Sequence, residues 1–112
     1  MAWTTLEDPG QLDTIDTLSQ QRPVLIFKHS TRCSISSAAL HRLRHAWTSA
    51  DDIHPAFLLD LLRHRAISNA IAERYAVEHA SPQVLIIRGA RCIEHRSHFA
   101  ITYTGTLAAL GT

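Results

Sequence analysis

The residues in this chain best suited to chemistry gather around one cysteine. Thr31-Arg32-Cys33-Ser34-Ile35-Ser36 sets a thiol behind a polar, basic stretch and ahead of a helical pattern. A cysteine at a helix N-terminus meets unpaired backbone N–H groups and the positive end of the macrodipole, and both favour the thiolate. Lys28, His29 and Arg32 add positive charge nearby in the sequence. The thiolate is the attacking species in disulfide exchange, so this placement makes chemistry possible near neutral pH.

Cys33 and Ser36 have the spacing of a redox Cys-x-x-Cys pair with the second cysteine replaced by serine. Such a site attacks a mixed disulfide and holds the departing partner, with no local thiol to close an internal disulfide. The simplest chemistry is monothiol: Cys33 takes a small thiol from a protein, and a second small thiol releases it. Ser36 either donates a hydrogen bond to the sulfur or faces water as an early polar helix residue. Thr31 and Arg32 flank the nucleophile as supporting residues. Further along, Ser81-Pro82 precedes a strand, and a cis bond there would turn the preceding backbone towards the thiol. The Ser81 N–H and C=O would then pair with an extended ligand as an added strand does.

Elements that position these residues follow from the hydrophobic pattern. Asp8-Pro9-Gly10-Gln11 reads as a helix start, and Leu12, Ile15 and Leu18 carry that helix to about Ser19. Val24 to Phe27 is a continuous apolar run, the pattern of a strand buried on both faces. A polar loop over Lys28 to Arg32 leads to Cys33. Ile35, Ala39, Leu43, Ala46 and Trp47 then form a helical stripe, with His41, Arg42, Arg44 and His45 on or beside the wet face. Pro55 to Asp60 reads as a strand, and Ile67, Ala70, Ile71 and Tyr75 mark a helix ending near Val77. Gln83 to Arg88 and Cys92 to Arg96 form a hairpin about Gly89-Ala90, with glycine at the first central position. Thr102 caps a short last helix carrying Leu107 and Leu110. The order α-β-α-β-α-β-β-α predicts an α/β, thioredoxin-like fold. Its central four-stranded mixed sheet is flanked by helices, with one extra N-terminal helix, in a single domain over residues 1–112.

Bulk properties agree with a small enzyme or binding domain. The 112 residues are 46% hydrophobic and 19% charged, with a formal net charge of +1, so nothing argues for nucleic acid or an anionic membrane. Met1 to Asp8 has no basic and apolar leader pattern, and no apolar run approaches bilayer length. The expectation is a cytoplasmic protein, where a structural disulfide between Cys33 and Cys92 is disfavoured. Cys92, on the edge strand, reads as a small core residue, although its alternation with Glu94 and Arg96 leaves the wet face open. His41 and His45 have metal-pair spacing but no third ligand in view, which favours a solvated helix face and no metal. Trp47 and Tyr75 are core.

Phe27-Lys28-His29-Ser30-Thr31-Arg32-Cys33-Ser34-Ile35-Ser36 also resembles the active-site segment of the monothiol bacilliredoxins, the YtxJ-like proteins of the bacillithiol system. Ser81-Pro82-Gln83 resembles that family's proline loop, and Ser97-His98 with Ile101-Thr102 its Ser-His…Ile-Thr stretch. Arg32 and Ser34 depart from the family pattern, which usually has proline after the cysteine. The resemblance implies removal of bacillithiol, a cysteine-glucosamine-malate thiol, from protein mixed disulfides. Cys33 would be the nucleophile, with Ser81 and Pro82 meeting the substrate, and His98 either meeting it too or serving a structural role in the cap region of the last helix. Partners would be S-thiolated proteins and a low-molecular-weight thiol as co-substrate, with no bound cofactor. Two other readings compete: a thioredoxin-fold binding module that does no exchange, and a glutaredoxin-like iron–sulfur carrier. The latter type resembles Cys-Gly-Phe-Ser, and this chain has neither the Gly nor the Phe.

Overall fold

The computed structural model describes residues 1–111. Its elements are β1 (Trp3–Thr5), α1 (Gln11–Ser19), β2 (Val24–His29), α2 (Ser34–Ala46), β3 (Ala56–Asp60), α3 (Arg65–Tyr75), β4 (Gln83–Arg88), β5 (Arg91–Ser97) and α4 (Tyr103–Leu110). Short 3-10 turns occupy Ser49–Ile53 and His98–Ala100.

Val24 to Phe27 is apolar throughout because β2 lies in the middle of a sheet ordered β1-β3-β2-β4-β5. Val24 and Ile26 face one core, where Leu12, Ile15, Ile67 and Ile71 of α1 and α3 pack. Leu25 and Phe27 face the other, against Ala39, Leu40 and Leu43 of α2 and Leu107 and Leu110 of α4. Each such side chain, fully buried, contributes about 1.5–3 kcal/mol. β1, β3 and β2 run parallel, while β4 and β5 are antiparallel additions.

The fold class is as expected, with five strands in place of four. β1 pairs with β3 from Trp3 to Thr5 and precedes the leading helix. It escapes detection from sequence because it is three residues long and Thr4 and Thr5 are exposed.

Three local readings change as well. Lys28 and His29 belong to β2, not to a loop, and Lys28 is 0% exposed. On α2 the inward position of the first turn is Ser36, while Ile35 is 38% exposed. At the hairpin Gly89 and Ala90 both have positive φ, 60° and 61°, the pattern of a type I′ turn rather than one needing glycine only at the first position.

The helix starts are legible in their bonds. The Gln11 side-chain oxygen accepts the Asp8 N–H at 2.9 Å, and Asp8 Oδ1 accepts the Gly10 N–H at 2.8 Å. Thr102 Oγ1 accepts the Gly105 N–H at 3.0 Å, the expected cap of α4. α1 and α3 are tied by Arg74, which contacts Asp13 and Asp16, and by the Tyr75 hydroxyl, which donates to Asp16 at 2.7 Å.

Candidate active site

Several loops issue from one end of the sheet. His29, last in β2, pairs in register with Asp60, last in β3. Lys28 pairs with Gln83, first in β4, which in turn pairs with Ser97, last in β5. The Cys33 loop, the turn after β3, the Ser81-Pro82 entry to β4 and the His98 exit from β5 therefore share that end.

Cys33 is the N-cap of α2, half-exposed, with extended backbone at φ −112° and ψ 119°. Its N–H donates to the Ser30 C=O at 3.2 Å, and its C=O accepts the Ser37 N–H at 3.0 Å, opening the helix. No acidic side chain sits in the first turn of α2. The positive end of the helix dipole is thus uncompensated beside the sulfur, which suits an anionic nucleophile.

Ser36 does neither of the things expected of it. It is 0% exposed. Its hydroxyl accepts the Ser30 N–H at 3.0 Å and lies 2.6 Å from His29 Nδ1. Among the described residues no hydrogen bond joins it to the Cys33 sulfur. Since the Ser30 N–H is a fixed donor, the Ser36 hydroxyl proton is available to a neutral His29, whose Nε2 then carries the ring proton. Burial pushes the His29 imidazole below its ordinary value, with Asp60 opposing that shift and Arg44 adding to it.

Lys28 points to the other face of the sheet, where its Nζ donates to the Ser68 C=O at 3.1 Å and lies 3.4 Å from His79 Nδ1. Its charge is spent there rather than on the thiol. Thr31 and Arg32 are exposed in the loop directly before Cys33.

On the β4 side the Ser81–Pro82 bond is cis. Ser81 is half-exposed, and among the described residues no hydrogen bond engages its backbone N–H or C=O. An extended segment of another chain can pair with such groups. The Pro82 C=O accepts the His98 N–H at 3.1 Å, which fastens the proline turn to the end of β5. His98 itself is exposed and holds φ at +54°, a strained conformation for a non-glycine residue.

A match to a family model decides the family. The model described as Monothiol bacilliredoxin BrxC matches residues 4–105. The chain belongs to the monothiol bacilliredoxin family. Among solved structures it is similar to an oxidoreductase candidate with a thioredoxin fold (TM-score 0.80, 23% identity, 94% of this chain and 90% of that one). It is also similar to the thioredoxin of Malassezia sympodialis (TM-score 0.72, 14% identity, 97% and 88% covered). The Fasciola hepatica thioredoxin gives a TM-score of 0.68 at 14% identity, with 95% and 94% covered. At these identities the structures establish the thioredoxin-like fold.

For a monothiol family the position of the other cysteine matters. Cys92 pairs with Ile87, four residues along β4 from the Gln83 end, roughly 13 Å at strand rise. It is half-exposed and packs on the core beneath α1 and α3, while Arg91, Ile93 and His95 are the exposed residues of β5. Burial pushes its thiol up. Cys92 therefore sits at the far end of the sheet from the Cys33 loop.

Sequence reasoning missed His29 as the partner of Ser36, and it missed the turn after β3. Asp60, Leu62 and Arg63 line a cavity of about 460 Å³ together with Thr31 and Arg32. The signal for His29 was available, since a strand that continues two residues further brings it beside the helix start. His41 and His45 stack on the exposed face of α2, ring centroids 5.7 Å apart.

Proposed function

We propose that this protein is a monothiol thiol–disulfide oxidoreductase. It removes bacillithiol, or a similar low-molecular-weight thiol, from protein mixed disulfides through Cys33. The observation that carries the reading is a half-exposed cysteine capping α2 with a buried, fully engaged serine where a second thiol would stand. The far position of Cys92 and its membership in a monothiol family support the same chemistry.

In the first step the Cys33 thiolate attacks the small-thiol sulfur of the mixed disulfide. A bond forms between Cys33 and the small thiol, and the protein sulfur leaves as a thiolate that takes up a proton. In the second step the thiolate of another small thiol attacks the adduct at the small thiol's own sulfur. It leaves as a small-molecule disulfide, and the Cys33 thiolate is restored. Over the cycle the protein sulfur is reduced to a thiol, the incoming small thiol is oxidised into the small-molecule disulfide, and Cys33 returns unchanged. The unpaired Ser81 backbone groups hold the protein substrate, with His98 at its side. Residence in the cytoplasm, where small thiols are kept reduced, suits both steps.

The test uses a bacillithiolated model protein, with the adduct followed by intact mass. Wild type and Cys92→Ala should both clear the adduct and both carry the small thiol on Cys33, while Cys33→Ala should do neither. A Cys33–Cys92 disulfide in wild type, with Cys92→Ala stopping after one event, would overturn the monothiol scheme. A protein that purifies brown and exchanges nothing would favour the cluster-carrier reading.

A further inference from the structure

The cavity beside the nucleophile is cationic in a way the fold does not require. Arg32 lies one residue before Cys33 and Arg63 three residues after the end of β3, and both are exposed. Among the described residues neither guanidinium has a hydrogen-bond or carboxylate partner. Arg74 and Arg96, by contrast, each engage carboxylates. Asp60 is the one acid lining the cavity, and its Oδ1 already accepts the Arg63 N–H at 3.3 Å. Two guanidiniums against one engaged carboxylate leave the cavity net positive, with Leu62 as its apolar wall and the Thr31 hydroxyl as a further polar group. Arginine forks match carboxylate geometry in pairs of parallel bonds.

The two sides of Cys33 offer different things. The Ser81 side presents unpaired backbone, which suits an extended protein segment. The Arg32 side presents a hollow of about 460 Å³, a volume that suits a small molecule. A small thiol joined to Cys33 by a disulfide must lie against one of these sides, and the protein it came from occupies the other.

From this we infer that the cavity of Thr31, Arg32, Asp60, Leu62 and Arg63 is the subsite for the small thiol, and that it selects thiols bearing a carboxylate, held by Arg32 and Arg63. The inference rests on Cys33 being the exchanging thiol. It explains why this chain has an arginine directly before its cysteine.

Two small disulfides of one skeleton separate the possibilities, dithiodipropionate and its dimethyl ester. The rate at which each modifies Cys33 is read by intact mass in the Cys92→Ala background. The acid-to-ester rate ratio should fall about five- to tenfold in Arg32→Gln/Arg63→Gln, the scale of two exposed charge contacts. Raising salt should lower the ratio of the parent towards that of the double variant. Arg63→Gln alone should account for a clear part of the fall. If the ratio is the same in parent and double variant, or moves only with Arg32, the subsite is wrong while exchange at Cys33 stands. If neither disulfide modifies Cys33 in the parent, the exchange reading itself fails and the subsite with it.

Discussion

Ser36 Oγ lies 2.6 Å from His29 Nδ1 and accepts the Ser30 N–H at 3.0 Å, so one buried hydroxyl joins the end of β2 to the first turn of α2. The loop between them carries Thr31, Arg32 and Cys33. Its two ends are fixed to each other by a side chain that has no part in the covalent steps.

Ser36→Ala therefore leaves a backbone donor and a ring nitrogen unpaired in a buried place. Such a loss costs about 1–3 kcal/mol. The expected outcome is a fall in Tm of several degrees by calorimetry, about 4 °C or more for each kcal/mol in a chain of this size. A Tm within error of wild type would mean that the network is not holding the loop.

Acid should weaken the fold before any carboxylate titrates. Burial lowers the affinity of His29, His54 and His79 for a proton below its ordinary value, which corresponds to 6.5. As pH falls through that value the unfolded chain takes up protons that the folded chain refuses, so stability declines until the folded histidines also protonate. Urea midpoints should drop between pH 7.5 and pH 5.5, with the half-buried His29 and the buried His54 carrying most of the fall and the exposed His79 little of it. A midpoint that holds level or rises would contradict the burial of the His29 and His54 rings.

Lys28 gives the opposite end of the pH scale. Desolvation pulls its ammonium from 10.5 down to about 8. Below pH 8 the folded protein carries the full cost of a buried cation whose hydrogen-bond partners among the described residues are the Ser68 carbonyl and His79. Between about 8 and 10.5 the unfolded state holds more protons, so stability contributed at this site rises with pH. Lys28→Met should raise the urea midpoint at pH 7, and the gain should shrink as pH climbs through that window. A gain that is independent of pH would assign the effect to packing alone.

The parts of this molecule that announce themselves in sequence are those with a long or doubled signal. Val24 to Phe27 and Val84 to Ile87 are apolar without interruption because both faces of β2 and β4 are covered. Cys33 stood out by its place between such a strand and a helical stripe. β1 gave no comparable signal, since its threonines are exposed and its burial comes only from pairing with β3. Lys28 hid the end of β2 because a lysine reads as solvent-facing, whereas here its stem runs through the core to a helix carbonyl. The cavity beside Cys33 was illegible for another reason. It joins Arg32 to Asp60 and Arg63 across the register of β2 with β3, a juxtaposition that no local pattern encodes.

The serine at position 36 also predicts what a second thiol would do. Cys33 is the N-cap and residue 36 the third helical position, and residues three apart on a helix have Cα atoms about 5 Å apart. That separation lies within the range a disulfide bridges, about 4.4–6.8 Å. In Ser36→Cys the introduced thiolate can attack the Cys33 sulfur of the small-thiol adduct. The internal disulfide forms, the small thiol leaves as a thiolate, and no second small thiol is needed. The variant should first accept the adduct as wild type does, then lose it and settle lighter than the reduced protein by two hydrogens. Wild type under the same conditions should keep the adduct until free small thiol is supplied. The serine hydrogen bonds are lost in the variant, so its fold is checked by circular dichroism before the masses are compared. A folded Ser36→Cys protein that keeps its adduct as long as wild type would show that position 36 cannot reach the sulfur. The serine would then not be what makes this site monothiol.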